Sequence, residues 1–122
     1  MRPPRSVALV AGGLAIGAAF HAVDVIHYGW WPYAFGPAPL NLFWNLLLPL
    51  DLGLIALLAW RWRAGLVTTA MLMVADVTVN AYAWLILGFD AFAGAVPVQV
   101  GFAAAVLALA WRYRAGGPFT TG

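Results

Sequence analysis

Three aspartates and one histidine interrupt long apolar runs in this chain. Asp24, Asp51 and Asp76 each lie inside a hydrophobic stretch, and His21 precedes Asp24 by one helical turn. Ionisable groups at membrane depth are costly, by about 2.5–3.5 kcal/mol for a central aspartate, and most often serve a function. We therefore regard these four residues as the candidate catalytic groups.

The charge balance of these runs restricts the chemistry. The chain has six Arg, all at the ends of segments, and no Lys, so histidines are the only internal bases that can offset the aspartates. Some of the carboxyl groups must then be held protonated, or a cation must be bound. The site should store a proton or hold a positive charge.

One reaction type needs this set of groups: a buried acid protonates an alkene or epoxide, and aromatic faces stabilise the resulting carbocation. A dry cavity would protect that cation from water. Polar or aromatic residues on the second, third and fourth predicted helices are the candidate substrate-binding groups. They are Phe43, Trp44, Asn45, Asn80, Tyr82, Trp84 and Gln99.

The elements that position these residues are predicted from hydropathy. The chain is 65% hydrophobic and 8% charged, and four stretches approach the roughly 20 apolar residues that a membrane helix needs. We predict helices at about 7–27, 40–60, 65–87 and 91–111, the first uncleaved and 91–96 only partly helical or re-entrant because of Pro97. The fold class is an all-α integral membrane four-helix bundle forming one domain over residues 1–122.

The arginines predict an orientation. They precede the first helix, separate the second from the third and follow the fourth, whereas the other two loops contain none. By the positive-inside rule, both termini are expected to be cytoplasmic. The aromatic loop 28–39 would then lie at the outer headgroup level.

On each of three predicted helices, the polar residues lie on one face and form a stripe along it. Facing lipid would leave these groups unsatisfied, so we expect the stripes to face one another and to form one acidic pocket open to the outer side. The absence of cysteine excludes disulfides, thiol nucleophiles and Cys-rich metal sites. Without a basic face, nucleic-acid binding has no support. We expect no metal and no cofactor.

The chain resembles the small bacterial membrane-bound terpene cyclases of drimentine-type and xiamycin-type indole-terpenoid pathways. The resemblance lies in length, helix count and three segments: His21-Ala22-Val23-Asp24, Asn41-Leu42-Phe43-Trp44-Asn45 and Asp76-Val77-Thr78-Val79-Asn80. It implies proton-initiated cyclisation of a farnesyl-type chain on a lipid-soluble, indole-bearing substrate in a bacterial inner membrane. A fainter resemblance links the chain to the four-helix sterol isomerase superfamily.

Two other functions remain open at this stage. A proton-coupled or metal-cation transporter or binding protein would use His21, Asp24 and Asp76 as ligands. A non-catalytic subunit of a larger membrane complex would use the same aspartates only for helix contacts. The sequence leaves the oligomeric state, the ring system and the identity of the proton donor undetermined.

Overall fold

Four long helices make up most of the chain in the computed structural model, which describes residues 2–114. The helices are α1 (Arg5–Tyr28), α2 (Ala38–Trp60), α3 (Trp62–Leu85) and α4 (Phe92–Arg112). All four are long and apolar enough to cross a membrane. At 1.5 Å per residue their lengths are about 32–36 Å, against a hydrocarbon core of about 30 Å. The prediction of an all-α chain with four such helices is confirmed.

The observed helix ends follow local backbone chemistry. Gly29, at a φ of 83°, ends α1, and its amide donates to the carbonyl of Val25. Pro39 lies in the first turn of α2, where a proline needs no hydrogen-bond partner for its nitrogen. α3 begins directly after Arg61, earlier than predicted, because arginine and tryptophan are compatible with a helix and do not require a loop.

α4 differs from the prediction at its beginning. We predicted that 91–96 would be only partly helical, yet α4 is continuous from Phe92 through Pro97. Pro97 is near the helix start, so its missing amide removes one backbone bond, to the carbonyl of Ala93. One lost bond near the end of a helix does not break it.

The described residues divide into two compact units. The first hairpin consists of α1, α2 and the loop between them, and ends at Trp60; the second hairpin begins at Arg61 and consists of α3 and α4. In each hairpin the two helices pack against each other. The assignment of all 122 residues to one domain stays a prediction.

The core of the first hairpin includes a buried polar position. The buried residues of α2 recur at alternating steps of three and four: Trp44, Leu47, Asp51, Leu54 and Leu58. This spacing places them along one side of the helix. Asp51 is only 7% exposed, and a Cβ added to Gly17 of α1 would lie 3.1 Å from Oδ2 of Asp51. The missing side chain at Gly17 makes room for this carboxyl group.

Substitution of Gly17 tests this packing. Gly12 lies in the same helix with nothing within 4 Å of an added Cβ, so Gly12→Ala and Gly17→Ala share the helix-propensity gain of about 1 kcal/mol. We expect Gly17→Ala to have the lower melting temperature in detergent, because Asp51 must move, which costs about 1–2 kcal/mol of the free energy of unfolding. Adding Asp51→Ala to both should remove the difference. Equal melting temperatures for the single variants would contradict the close contact.

The second hairpin has an apolar core with one polar link. Leu66, Ala70 and Met73 of α3 are buried, as are Val96, Ala103 and Val106 of α4. Asn80 of α3 is also buried, and Gln99 of α4 lies at the position between Val96 and Ala103 on the same helical stripe. The two polar residues therefore meet within the hairpin.

Candidate functional site

Two polar residues in the C-terminal part of α1 meet a tyrosine from the loop that follows. The hydroxyl of Tyr33 donates to Oδ2 of Asp24 at 2.6 Å, and Nδ1 of His21 lies 2.9 Å from the same hydroxyl oxygen. His21 and Asp24 are one helical turn apart on α1, which places them on neighbouring positions of one face. Tyr33 joins them into one hydrogen-bonded group, which we call the relay.

Two arrangements of protons fit the distances of the relay. In the first, the single proton of the Tyr33 hydroxyl goes to Asp24. The hydroxyl oxygen must then accept from His21, so Nδ1 of His21 is the protonated nitrogen. The opposite arrangement, with protonated Asp24 donating to Tyr33 and Tyr33 donating to Nδ1, uses the same three groups. Transfer of one proton along the group converts the first arrangement into the second.

Tyr33 itself stays a neutral phenol in this environment. Burial raises the pKa of the Tyr33 hydroxyl well above its usual value, and the hydrogen bond to Asp24 and the charge of that carboxylate raise it further. Tyr33 therefore does not lose its proton outright. It can only pass a proton on while receiving another.

An aromatic cluster holds Tyr33 in place. The ring of Tyr33 makes edge contacts with Phe35 and Trp44, and Phe35 stacks on Trp44 at 5.8 Å between centroids. Trp44 is only 2% exposed. A Cβ on Gly36 would lie 2.8 Å from the Trp44 ring, so the loop can pass this closely only with glycine there. The loop is thus held against α2 by its own aromatic residues.

The remaining polar residues of the first hairpin form local contacts. The amide of Asn45 donates to both the carbonyl oxygen and the side-chain oxygen of Asn41, one turn earlier in α2. Asp51 lies beside Gly17, seven residues before Asp24 in α1. Seven residues correspond to about 10 Å along a helix. Asp51 therefore lies about 10 Å from the relay along the axis of α1, toward the N-terminal end of that helix.

A second polar group lies in the second hairpin. The amide of Asn80 donates to Oδ1 of Asp76 at 3.0 Å and to Oε1 of Gln99 at 2.9 Å. Asn80 is buried, and Asp76 and Gln99 are half-buried. The group links α3 to α4 through neutral amides that hold a carboxyl oxygen.

The predicted site residues thus fall into two sets of contacts. His21 and Asp24 lie together through Tyr33, and Asp76, Asn80 and Gln99 lie together through amides. That these sets and Asp51 line one pocket stays a prediction, as does substrate contact by half-buried Phe43 and Trp84 and by the exposed Tyr82. Within residues 2–114, no three His or acidic side chains are grouped so that they could hold a metal ion.

Sequence reasoning missed Tyr33. We assigned its loop to the headgroup region because tryptophan and tyrosine are enriched there. The signal that could have found Tyr33 is the length of the connection: only 29–37 separates α1 from α2. It contains Gly29, Pro32, Gly36 and Pro37, which favour turns. So short a loop must stay close to the end of α1, where His21 and Asp24 lie.

Comparison with known proteins adds no relative. No family model, curated protein or solved structure matches this chain.

Proposed function

We propose that this chain is a multi-pass membrane enzyme that cyclises a lipid-soluble isoprenoid substrate by protonating it. The observation that carries the proposal is the relay, in which one phenol contacts both the Asp24 carboxyl and the His21 ring. A general acid that works repeatedly needs a positioned carboxyl group and a source of replacement protons. The relay contains both.

The proposed first step transfers one proton. The O–H bond of protonated Asp24 breaks, a C–H bond forms at an alkene carbon, and the positive charge moves to the neighbouring carbon. Phe35, which is largely exposed beside Tyr33, offers a ring face to such a cation. The cation then forms the new ring bond and loses a proton, so the net reaction is an isomerisation.

The proposed second step restores the acid. Doubly protonated His21 passes its Nδ1 proton to the oxygen of Tyr33, while Tyr33 passes its own proton to Asp24. His21 becomes neutral, Tyr33 is unchanged and Asp24 is protonated again. The proton lost from the cyclised cation replaces the one that His21 supplied. Each link requires a hydrogen bond of the length found here.

Product analysis tests this proposal. Membranes containing the chain are incubated with a farnesylated indole, and extracts are analysed for an isomer of the same mass with a new ring. Membranes containing Asp24→Asn are the matched control, since the amide keeps the shape of the side chain. We expect the isomer only with the wild-type chain. If neither membrane forms it, this substrate class is wrong.

A proton-coupled or metal-cation transporter is the second candidate, and the group in the second hairpin favours it. Asp76 is an ionisable residue inside a helix of membrane-spanning length, and such residues often mark ion or proton paths. Proteoliposomes with an imposed pH gradient would show proton flux that Asp76→Asn abolishes. Stoichiometric metal in the purified protein would favour the metal-binding form of this candidate.

The orientation is part of the proposal. We propose a bacterial inner-membrane protein with both termini in the cytoplasm, because every arginine lies at the same predicted side. The chain has no cysteine, so a single introduced cysteine reports its own position. We expect an impermeant maleimide added to intact spheroplasts to label Ala34→Cys and to leave Ser6→Cys unlabelled. The reverse pattern would show the opposite orientation.

A further inference from the structure

An aromatic and arginine cluster closes one end of the second hairpin. The rings of Trp62, at the start of α3, and Tyr113, just after α4, meet edge to face at 5.5 Å. The first turn of α3 and the last turn of α4 therefore lie side by side. Both segments carry arginines immediately beside these rings.

Three guanidinium groups lie over aromatic faces in this cluster. The central carbon of Arg63 lies 4.8 Å from the centroid of Trp62, and that of Arg112 lies 5.4 Å from Tyr113. Arg114 lies 3.9 Å above Trp111 and donates to the Trp111 carbonyl oxygen. Stacking on a ring fixes the plane of a guanidinium group and leaves N–H donors on its edges for an external acceptor.

No acidic side chain of the second hairpin lies near these arginines. The whole chain has four acidic residues, and only Asp76 and Asp90 belong to this hairpin. Asp76 follows Arg63 by 13 residues of α3, or about 20 Å. Asp90 lies in the connection at the other ends of α3 and α4. Within residues 61–114, no carboxylate is therefore placed as a counter-ion for the cluster, and its arginines can bind an external anion.

Arg63 also has a buried hydrogen-bond donor without a partner in residues 2–114. Its Nε is enclosed by protein and has no hydrogen-bond acceptor within the described part of the chain. Buried donors are normally paired, so an unpaired one calls for an explanation such as an absent ligand. A planar guanidinium group and a phosphate can pair through two parallel hydrogen bonds, so a bound phosphate would give Arg63 an acceptor that the described residues do not supply.

The position of the cluster selects the class of phosphate. Helices of membrane-spanning length begin and end here, and tryptophan, tyrosine and arginine at such ends lie at the headgroup level. Anionic phospholipids present phosphate groups at that level. We propose that the cluster formed by Trp62, Arg63, Trp111, Arg112, Tyr113 and Arg114 is a binding site for the phosphate of an anionic phospholipid. It is independent of the proposed catalytic function.

Lipid retention by the purified full chain tests this site. Detergent-solubilised protein is titrated with phosphatidylglycerol, and retained lipid is counted by native mass spectrometry. We expect the double variant Arg63→Gln/Arg112→Gln to weaken retention about thirtyfold. The matched control Arg2→Gln/Arg5→Gln removes the same charge from exposed positions of the first hairpin. It should change retention less than about fivefold, the effect of one surface contact of about 1 kcal/mol.

Two further experiments test whether the site needs the planar guanidinium groups or only their charge, and whether it binds lipid or free phosphate. Arg63→Lys/Arg112→Lys keeps the charge but lacks the planar fork, so it should lose most of the retention while keeping the helical circular dichroism of the wild type. Inorganic phosphate at millimolar concentration should not compete with phosphatidylglycerol. The proposal is overturned by equal losses in the two glutamine doubles, by wild-type retention in the lysine double, or by competition from inorganic phosphate.

Discussion

Asp24→Asn is expected to lower the rate of isomer formation by about 10²–10⁴-fold, the usual contribution of a general acid. The amide keeps the size of the side chain and can still accept from Tyr33 through its oxygen, but it has no acidic proton to give. The measurement is the initial rate of product formation in membranes with matched amounts of chain. The amount of folded protein should be unchanged, because the hydrogen bond from Tyr33 persists.

Two matched variants make the Asp24 result specific. Asp90 is exposed in the connection before α4, so Asp90→Asn should retain the wild-type rate. Asp76→Asn tests the polar group of the second hairpin in the same way. If the rate of isomer formation falls in Asp24→Asn and not in Asp76→Asn, the relay is the source of the proton. If Asp24→Asn keeps full activity while Asp76→Asn loses it, the acid lies in the second hairpin and our assignment of the relay is wrong.

Tyr33→Phe is expected to reduce turnover by about 10²-fold, because it cuts the only link between His21 and Asp24 seen in the relay. The ring remains, so its packing on Phe35 and Trp44 is kept. A break in proton resupply should lower kcat and leave KM nearly unchanged. A merely structural role would instead appear as a lower melting temperature with both kinetic constants altered.

Non-additivity provides the sharper test of the relay. If His21 acts through Tyr33, then His21→Gln should cause a similar loss, and the double variant should be no slower than either single variant. Tyr28→Phe is the matched control, since Tyr28 lies exposed at the end of α1. Losses that multiply in the double variant would show that His21 and Tyr33 act separately, which contradicts a shared proton path.

The helices of this chain were predictable because their signal is local. Runs of about 20 apolar residues interrupted by Gly, Pro and Arg at their ends determine where helices of membrane-spanning length begin and end. The predicted and observed limits differ by at most three residues. The main difference, the continuous start of α4, arises because a proline in the second turn removes only one hydrogen bond.

The closeness of polar residues within one helix was predictable for the same reason. His21 with Asp24, and Asp76 with Asn80, are three or four residues apart, and such pairs are neighbours on any α-helix. The pairing of Asn80 with Gln99 was expected only in general terms, since apolar surroundings force polar residues on different helices to find partners. Hydropathy cannot say which partners meet.

By itself, the sequence determined four apolar helices, the positions of the aspartates along them and the absence of internal Lys or Arg to neutralise these aspartates, because each depends only on residue type and helical period. The tertiary structure alone decided that a loop tyrosine joins His21 to Asp24, that Gly17 leaves room for Asp51 and that Trp62 meets Tyr113. These contacts depend on how a turn folds back and how two helices align. Such distances are set by packing between segments, which no local pattern encodes.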